Sequence, residues 1–178
     1  ETWADAPDLR RWMHDRVRRG KIISAVKRGK KESGQRFEMY FDHNERVDRV
    51  PSHRFLAMKR GEAEGILRVK IAPDEDYVMP RLQQRLLQNP SFEFADALIA
   101  TVSDCYRRLL QPTAESTLMQ QLSTKAEAEA IAVFAKNMRE LLMAAPAGPL
   151  VTIGLDPGFR TGCKVAVIDG TGQYLDHA

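Results

Sequence analysis

Val151-Thr152-Ile153-Gly154-Leu155-Asp156-Pro157-Gly158-Phe159-Arg160-Thr161-Gly162-Cys163-Lys164-Val165-Ala166-Val167-Ile168-Asp169 is the stretch that decides the fold. Val151, Ile153 and Leu155 begin a β-rich run, and Cys163 to Ile168 form a second apolar run that returns after the Asp-Pro-Gly turn. Asp169-Gly170-Thr171-Gly172 is a hairpin signal, and Tyr174-Leu175 would start a third strand. Upstream of this stretch the composition is that of helices, so a domain boundary is expected near residue 147, dividing 1–146 from 147–178. Three strands with no helix to cover either face would leave sheet edges unpaired, and 147–178 is therefore expected to be a truncated domain opening.

Outward from that boundary, Ile131, Phe134, Ala135, Met138, Leu141 and Leu142 make a strong helical stripe, with Thr124 and Glu127 at capping-box spacing and Pro146 as terminator. Phe94, Ala97, Leu98, Val102, Cys105 and Leu109 step along one face of an earlier helix that starts near Phe92 and is expected to end at Pro112, which can itself open the next helix because proline tolerates the first turn. Pro73-Asp74-Glu75-Asp76 reads as a solvated turn, after a half-exposed strand in which Leu67, Val69 and Ile71 alternate with Arg68 and Lys70. That strand needs a partner, for which residues 37–42 are the candidate. Ser52 is placed as the cap of a helix running to about Glu64 and closed by Gly65. Asp8 is placed as the cap of a helix carrying Leu9, Trp12, Met13 and Val17. Ile22, Ile23 and Val26 resume helical spacing beyond Gly20, giving a basic helical stretch over 8–36. The fold class expected is mainly α: a multi-helical domain with a short β element, followed by the first strands of an α/β domain.

Composition narrows the function classes. The 178 residues are 43% hydrophobic, enough for a core, and only 7% aromatic with 29% charged, which suits helices with wet outer faces. The two cysteines, Cys105 and Cys163, are far apart and match neither a disulfide framework nor a zinc site. No apolar run approaches the roughly 20 residues of a membrane span, and Glu1-Thr2-Trp3-Ala4-Asp5 lacks the features of a signal peptide. A cytoplasmic protein without membrane contact is expected. Net charge is only +3, but Arg10 to Arg36 holds eleven Lys/Arg against Asp15 and Glu32.

A carboxylate at the end of a strand, followed by a glycine-containing turn and a returning strand, is how an RNase H-like fold presents its first metal-binding Asp, here Asp156. Two-metal phosphoryl transfer needs several such groups, and this stretch shows one. The 151–169 segment resembles the opening of the YqgF-like domain of Tex proteins, a family of bacterial transcription accessory factors. Glu129-Ala130-Ile131-Ala132-Val133-Phe134-Ala135-Lys136-Asn137-Met138-Arg139-Glu140-Leu141-Leu142 with Ala144-Ala145-Pro146 is similar to the Tex segment entering that domain. So are Tyr40-Phe41-Asp42, Val50-Pro51-Ser52-His53-Arg54 and Glu64-Gly65, which extends the likeness over nearly the whole chain. The resemblance implies an internal piece of a multidomain factor with helix-hairpin-helix modules and an S1 domain, an RNase H-like domain without a working nuclease site, and a role in transcription. It makes Asp156 a positional relic, with no catalytic residue.

The expected activity is non-enzymatic binding of RNA or DNA, independent of sequence, with the transcription machinery as a further partner. Its candidate residues are Arg10, Arg11, Arg16, Arg18, Arg19, Lys21, Lys27, Arg28, Lys30 and Lys31, because an unneutralised basic run favours phosphate contact over base readout. The competing interpretation of the run is a solvated helix face. Trp12 falls on the apolar stripe and reads as core rather than as a base-stacking platform. His14, His43, His53 and His177 are scattered, and neither a metal nor a cofactor is expected. Two other functions fit the same residues: an RNase H-like nuclease truncated before its remaining carboxylates, and a protein-binding helical scaffold.

Overall fold

The computed structural model describes residues 2–87, 94–145, 148–158 and 162–178. The chain divides into two compact units, Glu1–Phe134 and Ala135–Ala178. The expected helix start near Phe92, the terminator Pro146 and the 159–161 part of the Asp-Pro-Gly turn lie outside the described residues.

In the first unit, α1 (Thr2–Asp5) leads into α2 (Pro7–Arg18). Ala6 occupies the N-cap and Pro7 the first turn, so Asp8 sits inside the helix near its positive end and is not the cap. Leu9, Met13 and Val17 are the buried face of α2. The helix does not resume beyond Gly20, because Lys21–Val26 is a strand, β1. Ile22 and Ser24 alternate inward, and a Cβ on Gly20 would lie 2.4 Å from the Ala72 carbonyl oxygen, an approach open only to glycine. The basic stretch over 8–36 is thus helix, strand and loop in succession.

β1 is the centre of a three-stranded antiparallel sheet ordered β2-β1-β3, with β2 at Asp42–Arg46 and β3 at Leu67–Ala72. The partner of β3 is therefore β1, in the register Ser24 to Val69, while residues 37–40 of the expected partner segment lie in a 3-10 helix, Gln35–Tyr40. Phe37 is buried there and Ser24 Oγ donates to the Tyr40 carbonyl at 2.8 Å, which ties that turn to the sheet. α3 (Ser52–Ala63) packs on β3, burying Phe55 and Met58. Ser52 is its first residue rather than its cap, and its hydroxyl bonds the Glu129 carboxylate. Gly65, at φ 73°, closes α3: its N–H donates to Glu62 O and the Ile66 N–H to Gly61 O, the paired bonds of a Schellman ending. The edge strand β3 is protected by side chains, since the Val69 and Ile71 N–H groups donate to Glu62 and Glu115 carboxylates at 3.2 and 2.7 Å.

Asp74-Glu75-Asp76 is a helix start and not a solvated turn. Asp74 accepts from the Tyr77 N–H at 3.2 Å and caps α4 (Glu75–Leu86), whose Val78 and Leu82 are fully buried. α5 (Ala95–Cys105) runs through a π-helical turn, Tyr106–Leu110, into α6 (Gln111–Leu142). Pro112 therefore does not end the helix: the wide turn just before it, closed by Gln111 N–H to Tyr106 O, relieves the clash a proline ring makes four residues back. The turn also rotates the buried face, so that Tyr106, Leu110, Ala114 and Leu118 are buried where Leu109 was expected. Burial pushes the Tyr106 phenol up to about 12. With no helix break, Thr124 is not a cap, and its hydroxyl donates to Gln120 O at 3.1 Å. Ile131, Phe134, Leu141 and Leu142 lie on α6 but are all more than 60% exposed.

In the second unit, β4 (Thr152–Gly158), β5 (Gly162–Ile168) and β6 (Tyr174–His177) form an antiparallel sheet in sequence order. Leu155 faces Val165 and Asp156 faces Lys164, as the two apolar runs require. Every described residue of β4 is exposed. The chain is thus mainly α with a short β element, followed by three strands that fit the expected opening of an α/β domain.

Candidate nucleic-acid interface

The basic run separates into neutralised and free cations. On α2, Arg10 reaches Asp5 at 2.7 Å and the Ala4 carbonyl at 2.6 Å, and Arg11 stands 3.9 Å from Asp8. Arg16 and Arg19 share Asp15. The hydrogen bond from Arg16 holds the Asp15 carboxyl below its ordinary value of 3.8, so this acid stays ionised and offsets the arginines around it. Arg18 is exposed and, among the described residues, has no carboxylate at ion-pair distance.

Beyond α2 the balance changes. Lys21 points from the exposed face of β1, and Lys27, Arg28, Lys30 and Lys31 surround the loop that turns at Gly29, φ 77°. The loop leaves the sheet from two backbone bonds, Val26 N–H to Phe41 O and Lys27 N–H to Ile66 O. Its cations have no carboxylate at ion-pair distance among the described residues.

Register extends this surface to residues that the linear run does not contain. Ala25 faces Arg68 and Ile23 faces Lys70, so both cations stand on the same exposed face as Lys21 and next to the basic loop. Across β1, Lys21 faces Arg46, which is held by two bonds to Asp48 at 2.9 and 2.7 Å. Asp42, opposite Ala25, is an acid on that face. Arg68 and Lys70 were visible in the sequence only as the polar half of an alternation, and their neighbours could be known only from the pairing. The surface of Lys21, Lys27, Arg28, Lys30, Lys31, Arg68 and Lys70 can bind polyanions through screened, non-directional charge.

Other chemistry is sparse. Among the described residues no three His, Cys, Asp or Glu side chains are grouped to hold a metal ion. Asp156 lies exposed on β4 opposite Lys164. His14 bonds Gln121 at 3.1 Å, His43 bonds Glu45 at 3.0 Å, and His177 bonds Tyr174. Cys105 is buried and burial pushes its thiol up, whereas Cys163 is exposed. Trp12 is only half-buried, with the Arg16 and Arg85 guanidiniums 6.0 and 5.1 Å from its ring centre, so it is not the simple core residue its place on the stripe implied. No helix among the described residues is long and apolar enough to cross a membrane.

The chain is similar to several known proteins. The chain is 40% identical to the uncharacterized protein YdcI of Bacillus subtilis over 177 residues, covering 98% of this chain and 25% of that protein. It is 37% identical to the transcriptional accessory protein Tex of Neisseria gonorrhoeae, over 99% of this chain and 24% of that one. A human S1 RNA-binding domain-containing protein 1 is 28% identical over 79% of this chain and 15% of its own length. The chain thus spans about a quarter or less of the relatives it matches. Residues 1–134 match the family described as Tex central region-like, and residues 150–178 match the Tex protein YqgF-like domain. The chain belongs to the Tex family, carrying its central region and the opening strands of its YqgF-like domain.

Proposed function

We propose that this chain is a non-enzymatic, nucleic-acid-binding segment of a cytoplasmic transcription accessory factor, and that it binds through the Lys21, Arg68 and Lys70 face of the first sheet together with the loop Lys27 to Lys31. The observation that carries the proposal is the concentration there of cations without acidic partners, next to an α2 most of whose arginines have one. The names of two relatives, a transcriptional accessory protein and an S1 RNA-binding domain-containing protein, support the same class of activity. Contacts of this kind are made to phosphates and are independent of sequence. The functional division falls at 146/147, with Asp156 of the second part playing no catalytic role and the transcription machinery as a partner of the whole factor.

If roughly five phosphates are contacted, duplex affinity falls several hundredfold between ~50 and ~200 mM salt. Replacing Lys27, Lys30, Arg68 and Lys70 together by Glu should remove most of the affinity and flatten that slope. Replacing Arg10 and Arg19 should do much less. A slope unchanged by the fourfold variant would overturn the assignment. A second reading, a protein-binding scaffold, draws on the exposed Ile131, Phe134, Leu141 and Leu142 of α6.

A further inference from the structure

α2 and α4 form a second cationic feature, different in chemistry from the sheet face. Trp12 and Arg16 are one turn apart on α2, and Tyr77, Arg81 and Arg85 follow at the same spacing on α4, so each set occupies one helix face. With Gln84 they line a cleft of about 400 Å³. The Arg16 guanidinium lies 6.0 Å from the Trp12 ring centre and 5.4 Å from that of Tyr77, and its Nη1 donates to the Tyr77 hydroxyl at 3.3 Å. Arg81 stacks over Tyr77 at 3.9 Å and Arg85 over Trp12 at 5.1 Å. Tyr77 remains 39% exposed, and Arg81, Gln84 and Arg85 are exposed as well.

Three guanidiniums line this cleft and no carboxylate does. Asp15 offsets Arg16, but among the described residues no acid is at ion-pair distance from Arg81 or Arg85. The Arg16 Nε is buried and has no hydrogen-bond partner. If the cleft only fastened α4 to α2, two unpaired arginines would be a poor device, since like charges in one concavity repel. Flat cations stacked on aromatic rings present both a phosphate-binding fork and a planar surface on which an unstacked base can lie.

We propose that the cleft between α2 and α4 binds a nucleotide of single-stranded nucleic acid, with Arg81 and Arg85 donating to phosphate and the Tyr77 and Trp12 stacks receiving the base. The inference rests on the nucleic-acid reading above but assigns a second site with a different preference. The sheet face meets phosphates of any strand. The cleft requires bases that are free of a duplex stack. An acidic peptide would satisfy the arginines yet make no use of the planar Arg81–Tyr77 and Arg85–Trp12 stacks, which favours the nucleotide.

The test compares a fluorescein-labelled oligouridylate with a duplex of equal length, both titrated with the 178-residue chain at one low salt concentration. In Arg81→Glu/Arg85→Glu the oligouridylate should lose roughly tenfold or more in affinity, and several times more than the duplex loses. Arg81→Lys, which keeps the charge and an exposed position but loses the planar stack, should show the same selective loss at smaller size with an unchanged melting temperature. Equal losses on both probes, or none, would overturn the cleft assignment whatever the sheet variants do. Tighter binding of polyglutamate than of oligouridylate, lost in the same variants, would overturn it in favour of an acidic peptide. Failure of the sheet-face reading has a separate signature: the fourfold sheet and loop variant would leave duplex affinity and its salt slope intact.

Discussion

The two three-stranded sheets have the same antiparallel construction and opposite fates. In β3 the residues alternate between buried and exposed, α3 covers the apolar side, and Glu62 and Glu115 take up N–H groups of the edge. In β4 Ile153 and Leu155 are more than 60% exposed, and alternation there produces no buried side. The first sheet is a finished amphipathic layer whose wet face can carry charge for binding. The second is an apolar layer without a cover among the described residues, so its side chains contribute register and little stability. Hydrophobic residues in a strand therefore mark a core only where another layer meets them, and a function proposed for this chain belongs on the sheet whose outward face is polar by design of the pattern.

Core deletion gives the widest separation between the two sheets. Phe55→Ala, at a position 1% exposed beneath the first sheet, should cost ~3–5 kcal/mol in urea unfolding followed by circular dichroism. Leu155→Ala, at 66% exposure, should stay within about 0.5 kcal/mol. A comparable loss at Leu155 would mean that β4 is packed, and the contrast would collapse. Glycine substitution separates them next. Gly20→Ala puts a methyl 2.4 Å from a backbone oxygen of β3's last residue and should destabilise by about 1–3 kcal/mol. At Gly154 the nearest atom is the Ala166 carbonyl oxygen at 3.8 Å, so Gly154→Ala should be neutral or stabilising by up to about 1 kcal/mol. The glycine in the motif that identifies the family is thus expected to tolerate what the unremarkable Gly20 does not.

That inversion shows which information is local. β3, β4, β5 and α3 were legible because their alternation, or a C-terminal glycine such as Gly65, is written within a few residues. β1 was not, since Ile22, Ile23 and Val26 fit a helix as well as a strand, and pairing on both sides decides between them. α4 was hidden because Pro73-Asp74-Glu75-Asp76 reads as a polar turn, although Asp74 and the acidic first turn are also ordinary helix start signals. Pro112 misled in the same direction, because the π turn at Tyr106–Leu110 just before it lets the helix continue and is not written in the local pattern. The candidate interface divides in the same way. The density of positive charge is a property of the linear run, but its neutralisation by Asp5 and Asp15, and its extension to Arg68 and Lys70, are set by tertiary neighbours.

The turns of the two sheets differ by charge as well, and this gives the smallest predicted effect. The β1 loop is held by backbone bonds and carries free cations, whereas the turn between β5 and β6 is organised by one carboxylate: Asp169 Oδ1 accepts from the Thr171 hydroxyl at 2.7 Å and from the N–H groups of Thr171 and Gln173 at 2.8 and 2.9 Å. The Thr171 hydroxyl bond, followed by the backbone bonds, holds this carboxyl below its ordinary value of 3.8. A lowered folded value means that the turn's stabilisation is complete above 3.8 and is lost as pH falls through the folded value. The Thr171 and Gln173 amide shifts should therefore titrate together with a midpoint under 3.8, while loop amides around Gly29 remain still over that range. Asp169→Ala should abolish the titration and leave the urea midpoint set by the first unit's core unmoved. A midpoint at or above 3.8 would show that the turn does not close on its carboxylate, and the second sheet would then lack even the local order that its register implies.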